Sequence, residues 1–381
     1  MSAEDQILAI GRQLAGNLPR SASPGERVDA RLLQIVAGDP ALRAALFRFT
    51  DVRPACTSVA DLGQHLVTLL EDASPASRMG RAMLALARPR ATRPLAALGA
   101  GGGVQRLAHR FIIGRSVDRA LPALARSWDA GVAASVDLLG EASVSDEEAE
   151  AYVGRCAEAL HALASGSASW PARPVLEADS LGPLPRANLS VKVTALTPEI
   201  RVEEPRRGIE DALERLRHLL RLGHRLGAHV HVDMETLDSR ETVLGLVLEV
   251  LSEPEFRDGP SAGLVLQAYL RDSPAELDQV LSWVDEHERR VPLTIRLVKG
   301  AYWDHEVIEA RQHGWEPPVF TDRGECDRNF EGLTRTLVQA HPRVRLALGS
   351  HNLRSITHGI ACVRARPAGA RPGAAGAAGA R

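Results

Sequence analysis

Two hydrophobic periods divide the chain. Up to about residue 125, apolar residues recur every three or four positions. Ile7, Leu8, Ile10 and Leu14 do so within 3–15, and Val59, Leu62, Leu66, Leu69 and Leu70 within 58–70. That spacing gathers them on one face, so amphipathic helices are expected. Asp39-Pro40 supplies a helix start, a capping side chain followed by proline at the first helical position. Gly99 and Gly101–Gly103 follow no strand pattern and precede no Lys-Ser or Lys-Thr pair. They read as a flexible joint, not a phosphate loop. Residues 1–125 are thus expected to form a helical arm or cap.

From residue 131 the period shortens. Apolar or alternating runs appear at 131–138 (GVAASVDL), 188–194 (NLSVKVT), 229–235 (HVHVDME), 263–269 (GLVLQAY), 292–298 (PLTIRLV) and 344–352 (VRLALGSHN). Helical patterns at 145–165, 205–223, 240–252, 274–289 and 327–340 separate them. Ser145 is placed to cap the first of these, with Glu147 and Glu148 at the positive end of its dipole. Strict strand–helix alternation means a parallel sheet covered by helices. An open doubly wound sheet and a closed eight-unit barrel both fit. No glycine fingerprint follows an early strand, and polar residues end every strand, which favours the barrel. The expected fold is therefore α/β, a (β/α)8 barrel with six of its eight units, over 126–360. Residues 361–381, ACVRARPAGARPGAAGAAGAR, carry almost no large apolar residue and are expected to be a disordered tail. A shifted reading frame in GC-rich DNA would explain why the helix beginning at 353–356 is lost in mid-repeat.

Composition narrows the class. The 381 residues are 45% apolar and 25% charged, with a net charge of −2. That is ample for a core and argues against a nucleic-acid footprint. Cys56, Cys156, Cys326 and Cys362 form no CxxC pair, which fits a reducing cytoplasm and no structural zinc. The acidic, amphipathic start has no signal-peptide pattern. No apolar run reaches bilayer length.

The chemistry concentrates where strands end. In TIRLVKGAYWDHE (294–306), Arg296 interrupts an apolar run and needs an anion or an electron-rich ring. Gly300 allows close backbone approach, and Tyr302 and Trp303 offer flat faces. Lys192 needs a partner if it points inward. Asp137 and Asp233 are the candidates, and such a lysine can hold a carboxylate or form a Schiff base. His229, His231, Asp233 and Glu235 share one face of a strand. With His351 they admit a metal-dependent barrel hydrolase; packed, hydrogen-bonded histidines are the plainer reading. Asp272, Glu306 and Arg311 read as solvated charges.

Taken together, DLLGEA (137–142), LSVKVTAL (189–196), VDME (232–235), VLQAY (265–269), IRLVKGAYWD (295–304), VFT (319–321) and SHN (350–352) closely resemble the proline dehydrogenase domain of the proline utilisation A family, in its order and spacing over 128–360. The resemblance implies an FAD-binding distorted barrel that oxidises L-proline to pyrroline-5-carboxylate and passes electrons to a membrane quinone. It implies Arg296 beside the flavin N5, stabilising the reduced ring. Asp233, Met234, Val265, Gln267, Lys299, Gly300, Ala301, Tyr302 and Trp303 would contact the cofactor. Phe320, Thr321, Gly349, Ser350, His351 and Asn352 would hold its more distant parts. Lys192, Asp137 and Tyr302 would meet the substrate, and Arg296, Lys192, Asp233 and Tyr302 would be the catalytic group. No metal is implied. A cytoplasmic enzyme peripheral to the membrane is expected, and a homo-oligomer is compatible with it. The family's final helix carries an arginine pair that clamps the proline carboxylate. Arg364, Arg366, Arg371 and Arg381 do not replace it, so weak FAD binding and poor turnover are expected. A non-catalytic remnant is the further alternative. No aldehyde dehydrogenase domain and no DNA-binding segment are assigned.

Overall fold

The computed structural model describes residues 2–17, 24–108, 112–140, 142–200, 208–287 and 289–366. Six parallel strands form its main sheet: β1 (Val136–Asp137), β4 (Asn188–Lys192), β5 (His229–Asp233), β6 (Ser261–Gln267), β7 (Leu293–Val298) and β8 (Val344–Gly349). They lie side by side in chain order, with β1 and β8 at the edges. A small antiparallel hairpin, β2 (Ala178–Asp179) with β3 (Gly182–Pro183), stands apart.

Alternation along each strand sorts side chains between two environments. Leu189, Val191, Val230, Val232, Leu264, Leu266, Ile295 and Leu297 are almost wholly buried in the main apolar core, against the covering helices. The residues between them, Ser190, Lys192, His231, Asp233, Gln267 and Arg296, give the other face its polar character. The register sets Lys192 beside Asp233 and Val265 beside Arg296, so the polar ends of successive strands line up.

The helices start where local chemistry directs. Ser145 caps Asp146–Ala168 by accepting from the Glu148 N–H at 3.3 Å. Asp39 caps Pro40–Val52 by accepting from the Leu42 N–H at 3.1 Å. The helix expected over 205–223 is Ile209–Leu226, and residues 205–207 lie outside the described residues. Glu141 of the DLLGEA motif lies outside them too.

Four expectations are corrected. The run at 131–138 is a strand only over Val136–Asp137. Gly99 and Gly101–Gly103 are not a joint but part of the helix Arg93–Ala108. Glycine costs about 1 kcal/mol relative to alanine in a helix. Here Ala96 is buried in a cluster with Leu66, Leu70 and Phe49, and Ala100 and Val104 of the same helix pack against it; that packing overrides the propensity. The helix begun at 353 is not lost: Leu353–Ala365 is intact, so residues 361–365 are helical where a tail was expected, and residues 367–381 lie outside the described residues. The 125/126 boundary also moves. The described residues within 17–115 form one compact unit, and those within 1–16 and from 116 onward form the other.

The last point has a concrete cause. The helix Ala3–Asn17 buries Ile7 and Ile10 against Ala361 and Ile360. The Arg354 guanidinium ties Glu4 at 2.6 Å and Glu331 at 2.8 Å. The first turn of the chain therefore packs on its last described helix.

Candidate active site

A cavity of about 430 Å³ opens at the carboxyl ends of the parallel strands. Its lining includes Asp137, Lys192, Asp233, Met234, Val265, Gln267, Arg296, Lys299, Gly300, Ala301, Tyr302, Gly349, Ser350 and His351. Fourteen residues proposed from sequence thus converge on one space from six strands. Trp303, Phe320, Thr321 and Asn352 do not line it. Trp303 donates from Nε1 to the Phe320 carbonyl at 2.9 Å, and Asn352 Oδ1 caps the helix Leu353–Ala365 by accepting from the Ser355 N–H.

Arg296 is the fixed point. One terminal nitrogen donates to Asp233 Oδ1 at 3.0 Å and Ser190 Oγ at 3.3 Å; the other donates to Ser135 Oγ at 3.2 Å and Ser190 Oγ at 3.3 Å. Ser135 donates in turn to Asn188 Oδ1 at 2.8 Å. A planar guanidinium held by three partners cannot swing away from the cavity. Burial raises the Asp233 carboxyl above its ordinary range, against the opposing pull of Arg296 and Lys192.

Lys192 faces Asp137 Oδ1 at 2.6 Å and Asp233 Oδ2 at 4.0 Å. Burial alone would favour its neutral form. The hydrogen bond that its ammonium donates to Asp137 and the charges of Asp137, Asp233 and Glu235 outweigh it, and the ammonium is held above its usual range. That environment favours the charged ammonium over the neutral amine that a Schiff base needs. Its backbone N–H donates to the buried Tyr152 hydroxyl at 3.0 Å, which fixes the strand end.

Lys299 pairs with Asp327 on the helix Arg323–Ala340. Gln267 is 2% exposed; its amide nitrogen donates to the Glu235 carbonyl at 3.1 Å, and its Oε1 has no partner. An unmatched buried acceptor on a cavity wall is costly unless a ligand N–H meets it.

Gly300 has φ +131°, a conformation that L side chains rarely adopt. A Cβ there would stand 2.5 Å from the Tyr269 ring. The Tyr269 N–H also donates to the Lys299 carbonyl at 2.7 Å. Gly300→Ala is expected to destabilise the chain by about 1–3 kcal/mol and to displace the Lys299–Tyr302 loop. Urea midpoints with cofactor content measure both; an unchanged midpoint with full cofactor content would sink the expectation.

Several functional neighbours escaped the sequence reading. Ser135 and Ser190 orient Arg296, and Val298 joins the cavity wall, as does Glu235, which the sequence had offered only for a metal. Thr194 donates to the Glu235 carboxylate. Serines carry no spacing signal, though period two places Ser190 and Lys192 on one face. Glu306, read as solvated, is 4% exposed, and its Oε1 accepts from the Leu237 N–H at 2.9 Å.

The geometry does not favour the metal reading of His229 and His231. Both are buried, at 5% and 1% exposure. His229 bonds Ser261 Oγ at 2.8 Å through one ring nitrogen and His231 at 3.1 Å through the other. His351 lies on the cavity wall instead. Among the described residues, the side-chain groups able to hold an ion do not include these three.

Comparisons with known proteins point to one family. The family model for proline dehydrogenase matches residues 120–372, and that for the proline utilization A N-terminal domain matches 4–111. Bifunctional protein PutA of Klebsiella aerogenes is 29% identical over 264 residues, covering 69% of this chain and 19% of that protein. Proline dehydrogenase 1 of Bacillus subtilis is 25% identical over 228 residues, 60% of each. The crystal structure of proline utilization A from Bdellovibrio bacteriovorus inactivated by N-propargylglycine superposes with a TM-score of 0.81 at 30% identity, covering 96% of this chain and 36% of that one. The matched region thus makes up 19% of the length of the bifunctional relative.

Proposed function

The chain belongs to the proline dehydrogenase family, and on that premise we propose that it oxidises L-proline to pyrroline-5-carboxylate with FAD as cofactor. The observation that carries the reading is Arg296, locked by Asp233, Ser190 and Ser135 at the mouth of a parallel barrel-type sheet. The residues present fit a flavin. The unmatched Gln267 oxygen suits a ring N–H, and the Cβ-free Gly300 turn and Tyr302 suit a flat ring. Lys299, Val265 and Met234 complete that wall.

In the reaction, proline loses hydride from carbon and a proton from nitrogen, and a C=N bond forms. A bound flavin supplies the electron-pair acceptor that no side chain provides. Arg296 holds positive charge where negative charge gathers, without reorganising. Lys192, kept protonated by Asp137, draws the substrate carboxylate, and Tyr302 packs beside its ring. Asp233 orients both cations and separates them. Trp303, Phe320, Thr321 and Asn352 are left for the cofactor's outer parts, beside Ser350 and His351. We further assign the onward electron acceptor to a quinone at the membrane surface. No helix among the described residues is long and apolar enough to cross a membrane.

Anaerobic titration of the FAD-reconstituted chain with L-proline tests the proposal. Bleaching of the flavin absorbance is expected, at a rate that rises with pH because the substrate nitrogen must be neutral for transfer. A flat pH–rate profile would count against that step. Lys192→Met is expected to raise KM about 10- to 100-fold with a smaller loss in kcat, as when binding common to ground and transition states is removed. An unchanged KM would remove Lys192 from the substrate site.

A further inference from the structure

We propose that Cys56, Asp61 and His65 form a zinc-binding site in the unit of residues 17–115, distinct from the flavin reading and independent of it. One ligand atom from each, a thiol sulfur, a carboxylate oxygen and an imidazole nitrogen, lies within 4.8 Å of the other two. The three come from a single stretch. The short 3-10 turn Arg53–Ala55 ends at Cys56, and Asp61 and His65 are one turn apart on the helix Val59–Ala73.

The carboxylate is already oriented. Asp61 Oδ2 accepts from the Thr57 N–H at 3.2 Å. Its backbone N–H donates to Ser58 Oγ, the helix cap, at 3.1 Å. That leaves Oδ1 beside His65 Nε2, at 3.5 Å. Such an outer hydrogen bond fixes a ligand before the ion arrives. Cys56 is half-buried, its N–H bound to the Arg53 carbonyl at 3.2 Å.

The ligand chemistry selects the ion. Calcium and magnesium take oxygen donors, whereas a mixed sulfur, nitrogen and oxygen set suits zinc in a tetrahedron. Three protein ligands leave the fourth position to water. Zinc binds the thiolate, so the Cys56 proton passes to solvent as the Zn–S bond forms. The bound ion ties the turn at 53–56 to the first two turns of the following helix. A second trio, Asp238, His305 and Glu309, offers no sulfur and serves as an internal contrast. The C-x4-D-x3-H spacing matches no familiar zinc pattern, so the sequence expectation of no structural zinc passed over it.

The test is cobalt titration of the full chain, reduced and freed of metal. A thiolate-to-cobalt charge-transfer band is expected to saturate at one equivalent and to be bleached by zinc. Cys56→Ser should abolish the band, and His65→Ala should weaken cobalt binding by about 10- to 100-fold or more. His65→Cys should retain it, and neither Cys362→Ser nor Asp238→Asn should change it. No band, or one that survives Cys56→Ser, would overturn the site. So would full-strength binding in His65→Ala, which would mean a lone thiol meeting an adventitious ion. Should Cys56→Ser fail to fold, the His65 pair decides between the outcomes.

Discussion

Replacing Arg296 with methionine is expected to slow proline oxidation by about 100- to 1,000-fold, the usual loss when one preorganised donor to developing charge is removed. The size of the effect follows from how the side chain is held. Its two terminal nitrogens reach Asp233, Ser190 and Ser135, all within 3.3 Å. The charge is therefore in position before reaction begins. Methionine fills similar volume and supplies none of it. Among the described residues it also leaves Asp233 with Lys192, at 4.0 Å, as its remaining ion-pair partner. Arg296→Lys should fall between the two, because an ammonium cannot span all three partners as a planar fork does. Single-turnover reduction of the bound flavin separates this from lost binding. Near-normal reduction in Arg296→Met, with flavin content intact, would show that another group stabilises the charge.

Acid should unfold the protein earlier than its surface charges suggest, because of His229 and His231. Burial, with Arg296 nearby, depresses His229 to about 3 and His231 to about 2. In the unfolded chain each ring takes a proton near its ordinary value of about 6.5. The stability from keeping them neutral is thus complete above that value and is lost as pH falls through it towards 3. At pH 5 the loss is about 2 kcal/mol for each ring. Glu276 works in the opposite direction. Burial pushes its carboxyl up to about 7, so it binds a proton in the fold first and gains stability as pH falls from there. Comparison with a His229→Gln/His231→Gln variant removes that contribution, since Glu276 is the same in both. Urea midpoints at pH 7.5 and 5 should show a shallower fall in the double variant. Calorimetry at pH 5 should show about two fewer protons taken up on unfolding. Equal slopes would mean that the rings are protonated in the fold.

The same strand explains why part of the site could be read directly and part could not. HVHVDME alternates without interruption, and a period of two assigns each residue to a face. His229, His231 and Asp233 could therefore be placed together on the polar side. What period two cannot assign is depth. His231 and His229 lie one and two layers further in, where they bond each other and His229 bonds Ser261, while Asp233 reaches the cavity. Gly263 shows how depth is set. A Cβ there would come within 2.4 Å of the His231 ring, so a glycine on the neighbouring strand makes room for the imidazole.

By itself the sequence determined the periods, the alternation of strands with helices and the chemistry at the strand ends. These depend on residues near one another in the chain, and backbone geometry converts their spacing into faces. Only the tertiary structure decided that Ser135 and Ser190 hold Arg296, that Glu306 is buried under Leu237, and that glycines 101–103 remain helical. It alone joined the helix Ala3–Asn17 to Leu353–Ala365. Each of these rests on partners far apart in the chain, or on packing that outweighs a local preference. Hydrogen bonds and buried area are gained where atoms meet in space, and sequence spacing carries no record of that meeting.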